Sequence, residues 1–254
     1  MEFAYIILFF ILGTYMGSFF TVVGLRLPKK EDFIFSRSRC DQCKHELSLL
    51  EMIPILSYIF LKGKCKHCHS KIDPLSTYIE FFAGILFAVS YYSFSFSYEL
   101  FIALGIVSLL IIVLVTDLMY LIIPDEVLIF FSIYFLIFQF IGTGLKNTLL
   151  HFATGIFLFI LMYLIMLLGN KIFKKESMGG GDVKLMFLFG LVLDPLLGTF
   201  SIFLGSFFAL PMSLFLYFSN KEKVIPFGPF LLIAFAFLYF TKIDSQTLIN
   251  WFKF

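Results

Sequence analysis

Two acids stand at the edges of apolar runs in this chain. Asp117 closes the run from Leu104 to Val115, and Asp182 follows Gly179-Gly180-Gly181 and opens the next one. An ionisable group at the edge of hydrocarbon is costly, which makes it a candidate functional residue. Two such carboxylates can divide acid and base roles: an ionised one takes a proton from water while a protonated one polarises a carbonyl and serves a leaving amine. Close together they cannot both ionise easily, so they titrate as a pair. Peptide-bond hydrolysis in or beside a membrane is the chemistry this pattern suits.

The residues around the acids have readings of their own. Three successive glycines allow close backbone approach to an extended substrate and permit positive φ angles. A bland alternative makes Asp182 a helix N-cap after a loop, and Asp117 an acid at a helix end. Asp125 and Glu126 follow Pro124, which suits a helix start. Lys184 either binds substrate or a lipid phosphate, or snorkels to the interface.

A second cluster is made of cysteines. Cys40-Asp-Gln-Cys43 and Cys65-Lys-His-Cys68 lie in one polar segment, and 21 residues separate Cys43 from Cys65. Paired C-x₂-C knuckles at about this spacing suit a closed, tetrahedral structural Zn²⁺ site. A polar insertion of this size has little core of its own, so the metal would supply folding energy. Four reduced thiols or a redox pair are the alternatives. His45, His67 and His69 are expected at the surface.

The elements that must carry these groups are membrane helices. The chain is 60% hydrophobic, with 38 phenylalanines and only 14% charged residues, against about 25% charged in soluble domains. Soluble-enzyme and nucleic-acid-binding readings fall away. Apolar segments at 3–25, 77–95, 99–118, 125–142, 148–170, 182–193, 196–219 and 227–242 give about eight transmembrane helices, each near the ~20 residues needed to span. The sixth and seventh could instead form one broken span at Asp194-Pro195. The first run lacks a basic leading region and reads as a retained helix. The fold class is therefore an all-α polytopic membrane protein. Its organisation reads as a first helix over 1–25, a cytosolic cysteine loop over 26–76, and a transmembrane core over 77–254.

Basic residues orient the spans. Ten of the nineteen lysines and arginines lie between Arg26 and Lys71. With eight spans, these and Lys171, Lys174, Lys175, Lys184, Lys221 and Lys223 share one side. Lys146, Lys242 and Lys253 fall on the other. The rich side is read as the cytosol, and both Asp117 and Asp182 lie at its boundary.

At this point the residues resemble a family. Asp117-Leu-Met-Tyr-Leu-Ile-Ile-Pro124-Asp125 and Gly179-Gly-Gly-Asp182-Val-Lys184-Leu resemble the two aspartate motifs of type IV prepilin peptidases. Gly17-Ser18-Phe19 through Arg26-Leu27-Pro28 agrees too. So does Ser36-Arg-Ser-Arg-Cys40 on to Ile53-Pro54-Ile-Leu-Ser57-Tyr58 and Gly63-Lys-Cys65, and so does Ile225-Pro226-Phe227-Gly228-Pro229-Phe230. The resemblance runs in order from about residue 13 to residue 232.

It implies an aspartyl protease of the bacterial cytoplasmic (inner) membrane that removes the basic leader of prepilins and pseudopilins at the cytosolic face. Asp117 and Asp182 match its catalytic pair. The cysteine loop matches the longer members, which also N-methylate the new amino terminus with S-adenosylmethionine. Thr21 stands where that family usually has Asn, and Ser76-Thr77 replaces a usual Tyr-Pro before Glu80. Asp41 replaces a common Pro between the first two cysteines. Glu80 is either a polar anchor or part of a methylation site. Two other functions stay open: a general glycine-aspartate intramembrane protease, and a non-catalytic zinc-knuckle scaffold or transporter.

Overall fold

The computed structural model describes residues 2–40, 42–218 and 226–252. Asp41, Lys221, Lys223, Ile225 and Lys253, used in the sequence reading, lie outside the described residues. The described chain is helical, with isolated antiparallel bridges at Arg39–Glu46 and Lys64–Lys71 and no sheet. It divides into two compact units, Met1–Ser95 and Phe96–Phe254. The span expected over 77–95 lies in the first of these units.

The first unit contains α1 (Glu2–Arg26), the short α2 (Leu56–Phe60) and α3 (Leu75–Phe94). α1 and α3 pack nearly backbone to backbone. A Cβ on Gly13 would stand 2.6 Å from the carbonyl oxygen of Ala83 and 2.9 Å from the Cα of Gly84. Gly13 and Gly17 lie one helical turn apart on α1, the small-residue spacing that lets membrane helices approach closely. After α1, the Arg26 guanidinium donates to the carbonyls of Asp32 at 3.1 Å and Ser36 at 3.2 Å, folding the chain back on the helix end. The polar insertion then runs to α3.

The second unit contains α4 (Tyr98–Tyr120), α5 (Asp125–Phe173), α6 (Gly180–Gly190), α7 (Pro195–Phe218), α8 (Gly228–Phe240) and α9 (Ser245–Phe252). α5 covers two expected spans as two helical stretches that meet at a kink. Gly144, at φ 78 and ψ 172, breaks it internally, in a region open essentially to glycine alone. Residues from both sides of Gly144 line one groove with α6, so the bend folds α5 back on itself. α6 lies against the second half: a Cβ on Gly190 would stand 2.5 Å from the Cα of Gly155. Phe189 of α6 stacks on Phe235 of α8 at 4.3 Å. α6 ends before Asp194-Pro195, as that pair requires.

Among the described residues, five helices, α1, α3, α4, α5 and α7, are long and apolar enough to cross a membrane; α8 is a shorter apolar helix. α9 has no counterpart among the expected segments. Asp244 starts it by accepting from the Thr247 N–H at 2.8 Å, and Leu248 anchors its apolar side at 3% exposure.

Candidate active site

Asp117 occupies the last turn of α4. The helix stops because Leu121 turns left-handed at φ 56, and its N–H closes on the Asp117 carbonyl at 3.0 Å. Asp182 occupies the first turn of α6, whose N-cap is Gly179. The capping alternative for Asp182 is therefore not what the structure contains. Both acids are buried, at 6% and 8% exposure, and they lie within electrostatic reach of each other.

A third helix end completes this arrangement. The backbone N–H of Gly228, the first residue of α8, donates to Asp117 Oδ2 at 3.2 Å. The first N–H groups of a helix have no intrahelical acceptor, and this carboxylate satisfies one of them. The positive end of the α8 dipole thereby faces Asp117.

Ile123 binds the corner together. Its side chain fills the space that a Cβ on either Gly181 or Gly228 would need, at 2.9 Å in each case. Neither Ile123 nor Gly228 received a role from sequence. The Gly-Pro pair opening an apolar run marks a helix start, but nothing in the sequence aims that start at Asp117.

The three glycines act differently from expectation. Gly63 and Gly144 carry positive φ, whereas Gly179 sits at φ −69 and Gly180 and Gly181 are helical. What they supply is space, not handedness. A Cβ on Gly179 would reach 3.4 Å from Asp182 Oδ2, Gly181 gives way to Ile123, and Gly180 faces open space.

Lys184 and Asp125 find each other. Lys184 Nζ donates to both carboxylate oxygens of Asp125, at 2.7 and 2.8 Å. This ion pair joins the start of α5 to the first turns of α6. It caps an apolar groove lined by Leu128, Ile129, Ile133, Ile156, Phe159 and Phe187.

The remaining predicted residues belong to the first unit. The sulfur atoms of Cys40, Cys43, Cys65 and Cys68 lie within 4.8 Å of one another, a set that could hold a metal ion. Two knuckle turns make this possible: the Cys40 N–H bonds to the His45 carbonyl, and the Cys65 N–H to the Ser70 carbonyl, each at 2.9 Å. Backbone N–H groups of Cys43 and Gln42 hold the Cys40 thiol down at about 6, and the Ser70 side chain lowers that of Cys68. Both favour the thiolate that binds metal, whereas Cys43, although its bond from the His45 N–H lowers it, is pushed up to about 11 by burial and the neighbouring thiols. The rings of His45 and His67 lie tilted against each other, their centroids 3.6 Å apart, and stand outside the thiol set.

Glu80, 7% exposed, accepts from the Ile55 N–H at 2.8 Å and from Ser18. It ties α1, the insertion and α3 together. Gly63, at φ 67, sits under the Tyr58 ring, where a Cβ would stand 2.9 Å from its hydroxyl.

The fold and site together define a multi-span, all-helical membrane protein with buried carboxylates at a glycine turn and a four-thiol insertion. Residues 11–94 match the bacterial peptidase A24 N-terminal domain, and residues 103–214 match the type IV leader peptidase family. The prepilin leader peptidase/N-methyltransferase of Bacillus subtilis (strain 168) is 35% identical over 244 residues, covering 93% of this chain and 95% of that one. The protein of the same name from Vibrio cholerae is 31% identical over 252 residues, covering 95% and 98%. One from Myxococcus xanthus is 33% identical over 186 residues, covering 72% of this chain and 55% of that one. No solved structure matches. The chain belongs to the type IV leader peptidase family.

Proposed function

We propose that this protein is an aspartyl endopeptidase of the cytoplasmic membrane. It removes the basic leader from a prepilin or pseudopilin precursor at the cytosolic face, then methylates the new amino terminus with S-adenosylmethionine. The observation that carries the peptidase reading is the convergence of Asp117 and Asp182, buried, at one corner made by α4, α6 and α8.

In this reading one carboxylate takes a proton from water as the oxygen attacks the scissile carbonyl. The other carboxyl donates its proton to the carbonyl oxygen; as the tetrahedral intermediate collapses it takes that proton back, and the proton drawn from water passes to the leaving amine. Burial strengthens each of these electrostatic steps by excluding water. The Gly228 N–H keeps Asp117 in one orientation. The excess of lysine and arginine in the segments that share one side with the two acids in the span assignment supports a cytosolic location, where a basic leader would remain. The precursor's apolar helix would stay in the bilayer beside the site.

The four cysteines would hold a Zn²⁺ ion. Their sulfur atoms are already clustered, and the ion would close the insertion as a structural site, with no part in cleavage. S-Adenosylmethionine would supply the methyl group for the second activity.

Co-expression with a candidate precursor, followed by intact mass of the product, tests both activities at once. The expected mass is that of the leaderless chain plus one methyl group. A cut inside the precursor's own span would favour a general glycine-aspartate intramembrane protease. Unchanged processing by Asp117→Asn and Asp182→Asn proteins would favour a non-catalytic scaffold or transporter.

A further inference from the structure

The polar insertion has a basic corner that neither proposed activity uses. A concave pocket of about 570 Å³ is lined there by Lys62, Lys64, Lys71, Ile72 and Asp73, and it reaches Pro74, the N-cap of α3.

The backbone places two of these lysines against each other. Lys64 and Lys71 stand opposite in an isolated antiparallel bridge. The bonds on either side of them, from the Cys65 N–H to the Ser70 carbonyl and from the Ile72 N–H to the Gly63 carbonyl, are each 2.9 Å. This is the non-hydrogen-bonded type of pair, in which the side chains come closer. Like charges directly opposite are destabilising. Among the described residues no acid forms an ion pair with Lys62, Lys64 or Lys71. Asp73 accepts instead from the Leu75 N–H at 3.0 Å, at the start of α3. The corner therefore holds an excess of positive charge that an external anion would relieve.

Two observations say which anion. The first is position. The pocket wall includes the N-cap of a helix long and apolar enough to cross a membrane, so the lysines stand at a bilayer boundary. The second is the apolar surface beside them. Ile59 and Phe60, at the end of α2, are 61% and 79% exposed, and Phe60 lies two residues before Lys62. Exposed apolar side chains beside lysines are the composition of segments that lie in the headgroup plane. A soluble anion would leave that apolar surface in water. A basic leader would be repelled by the lysines.

We propose that the insertion rests on an anionic leaflet of the bilayer that α3 crosses. Lys62, Lys64 and Lys71 gather around lipid phosphates, and Ile59 and Phe60 enter the headgroup layer. Juxtamembrane lysines attract anionic lipid in this way, with an effect that fades within a Debye length.

The test uses the full-length protein carrying Phe60→Trp and Trp251→Phe, so that the introduced indole reports alone. Nanodiscs are made of phosphatidylcholine with or without phosphatidylglycerol, with acyl chains brominated near the headgroup to quench an indole on contact. Both leaflets are alike, so the outcome is independent of which side faces the cytosol and of either enzymatic activity. Strong quenching is expected with phosphatidylglycerol and weak quenching without it. Salt at about 1 M, where the Debye length is about 3 Å, should release the indole. Changing Lys62, Lys64 and Lys71 to Gln should lower the docked-to-free ratio roughly fivefold per lysine, and changing them to Arg should restore it. The salt comparison leaves the lysines in place, so it stands even where the Gln variant fails to fold. Equal quenching in the two lipid mixtures, or none in either, overturns the proposal. So does an indole shielded only after a precursor is added, which would give the apolar surface to the precursor.

Discussion

Asp117 Oδ2 accepts a hydrogen bond at 3.2 Å from the backbone N–H of Gly228, 111 positions away in sequence. A Cβ added at Gly228 would stand 3.2 Å from that same oxygen and 2.9 Å from the Ile123 Cδ1. Gly228→Ala should therefore push the start of α8 away from the carboxylate. Overpacking of this kind costs about 1–3 kcal/mol, and misplacement near the chemistry costs roughly 10²-fold in rate. Cleavage kinetics of a model precursor check this; a wild-type rate would show that the contact does not position Asp117.

Asp117→Asn and Asp182→Asn should each reduce cleavage by roughly 10²–10⁴-fold, the usual worth of a general acid or base. Groups that act as one unit lose their effect together. The double variant should then be no slower than the worse single one. Multiplying losses would argue for two separate roles. Single-turnover cleavage with all variants inserted in membranes gives the comparison.

The glycines before Asp182 should tolerate substitution unequally. Gly181→Ala drives a methyl group into the Ile123 side chain at 2.9 Å, whereas Gly180 has nothing within 4 Å. The expected cost is about 1–3 kcal/mol for the first and within about 0.5 kcal/mol for the second. Thermal or denaturant unfolding in detergent would detect the difference. Equal losses would mean that the glycine turn responds as a whole.

The Lys184–Asp125 pair is bidentate yet half exposed, with side chains 50% and 59% accessible. Solvent screening limits such pairs to about 0–1 kcal/mol. A double-mutant cycle with Lys184→Met and Asp125→Asn should give a coupling in that range. A much larger coupling would mean that the pair is shielded in the bilayer.

Removing metal should loosen the insertion. A strong chelator, or Cys65→Ser, should expose the knuckles to trypsin at Lys62, Lys64 and Lys66. Mass spectrometry of the native protein should show one Zn²⁺ per chain, lost in the variant. Unaltered proteolysis after complete metal loss would separate the fold of the insertion from the ion.

Much of this molecule could be read along the chain. Apolar runs marked the helices because a bilayer requires internally satisfied backbone over about 20 residues. The cysteine knuckles were legible because metal chelation by two local turns depends on short spacing. The helix α9 was missed because its stretch is too short and polar for a spanning pattern. From sequence, 125–142 and 148–170 stand as separate spans. In the structure one glycine makes the bend between them without breaking the helical run on either side.

What sequence alone determined was therefore local or periodic: membrane residence, two acids at helix ends, a metal-type thiol set, and the family resemblance these motifs carried. Tertiary structure decided which partners those groups meet. It aimed the first N–H of α8 at Asp117, set Ile123 against Gly181 and Gly228, paired Lys184 with Asp125, and turned Glu80 into a cavity. The physical reason is that spacing along a helix states which face a residue occupies, while the groups opposite that face come from segments whose approach is set by packing.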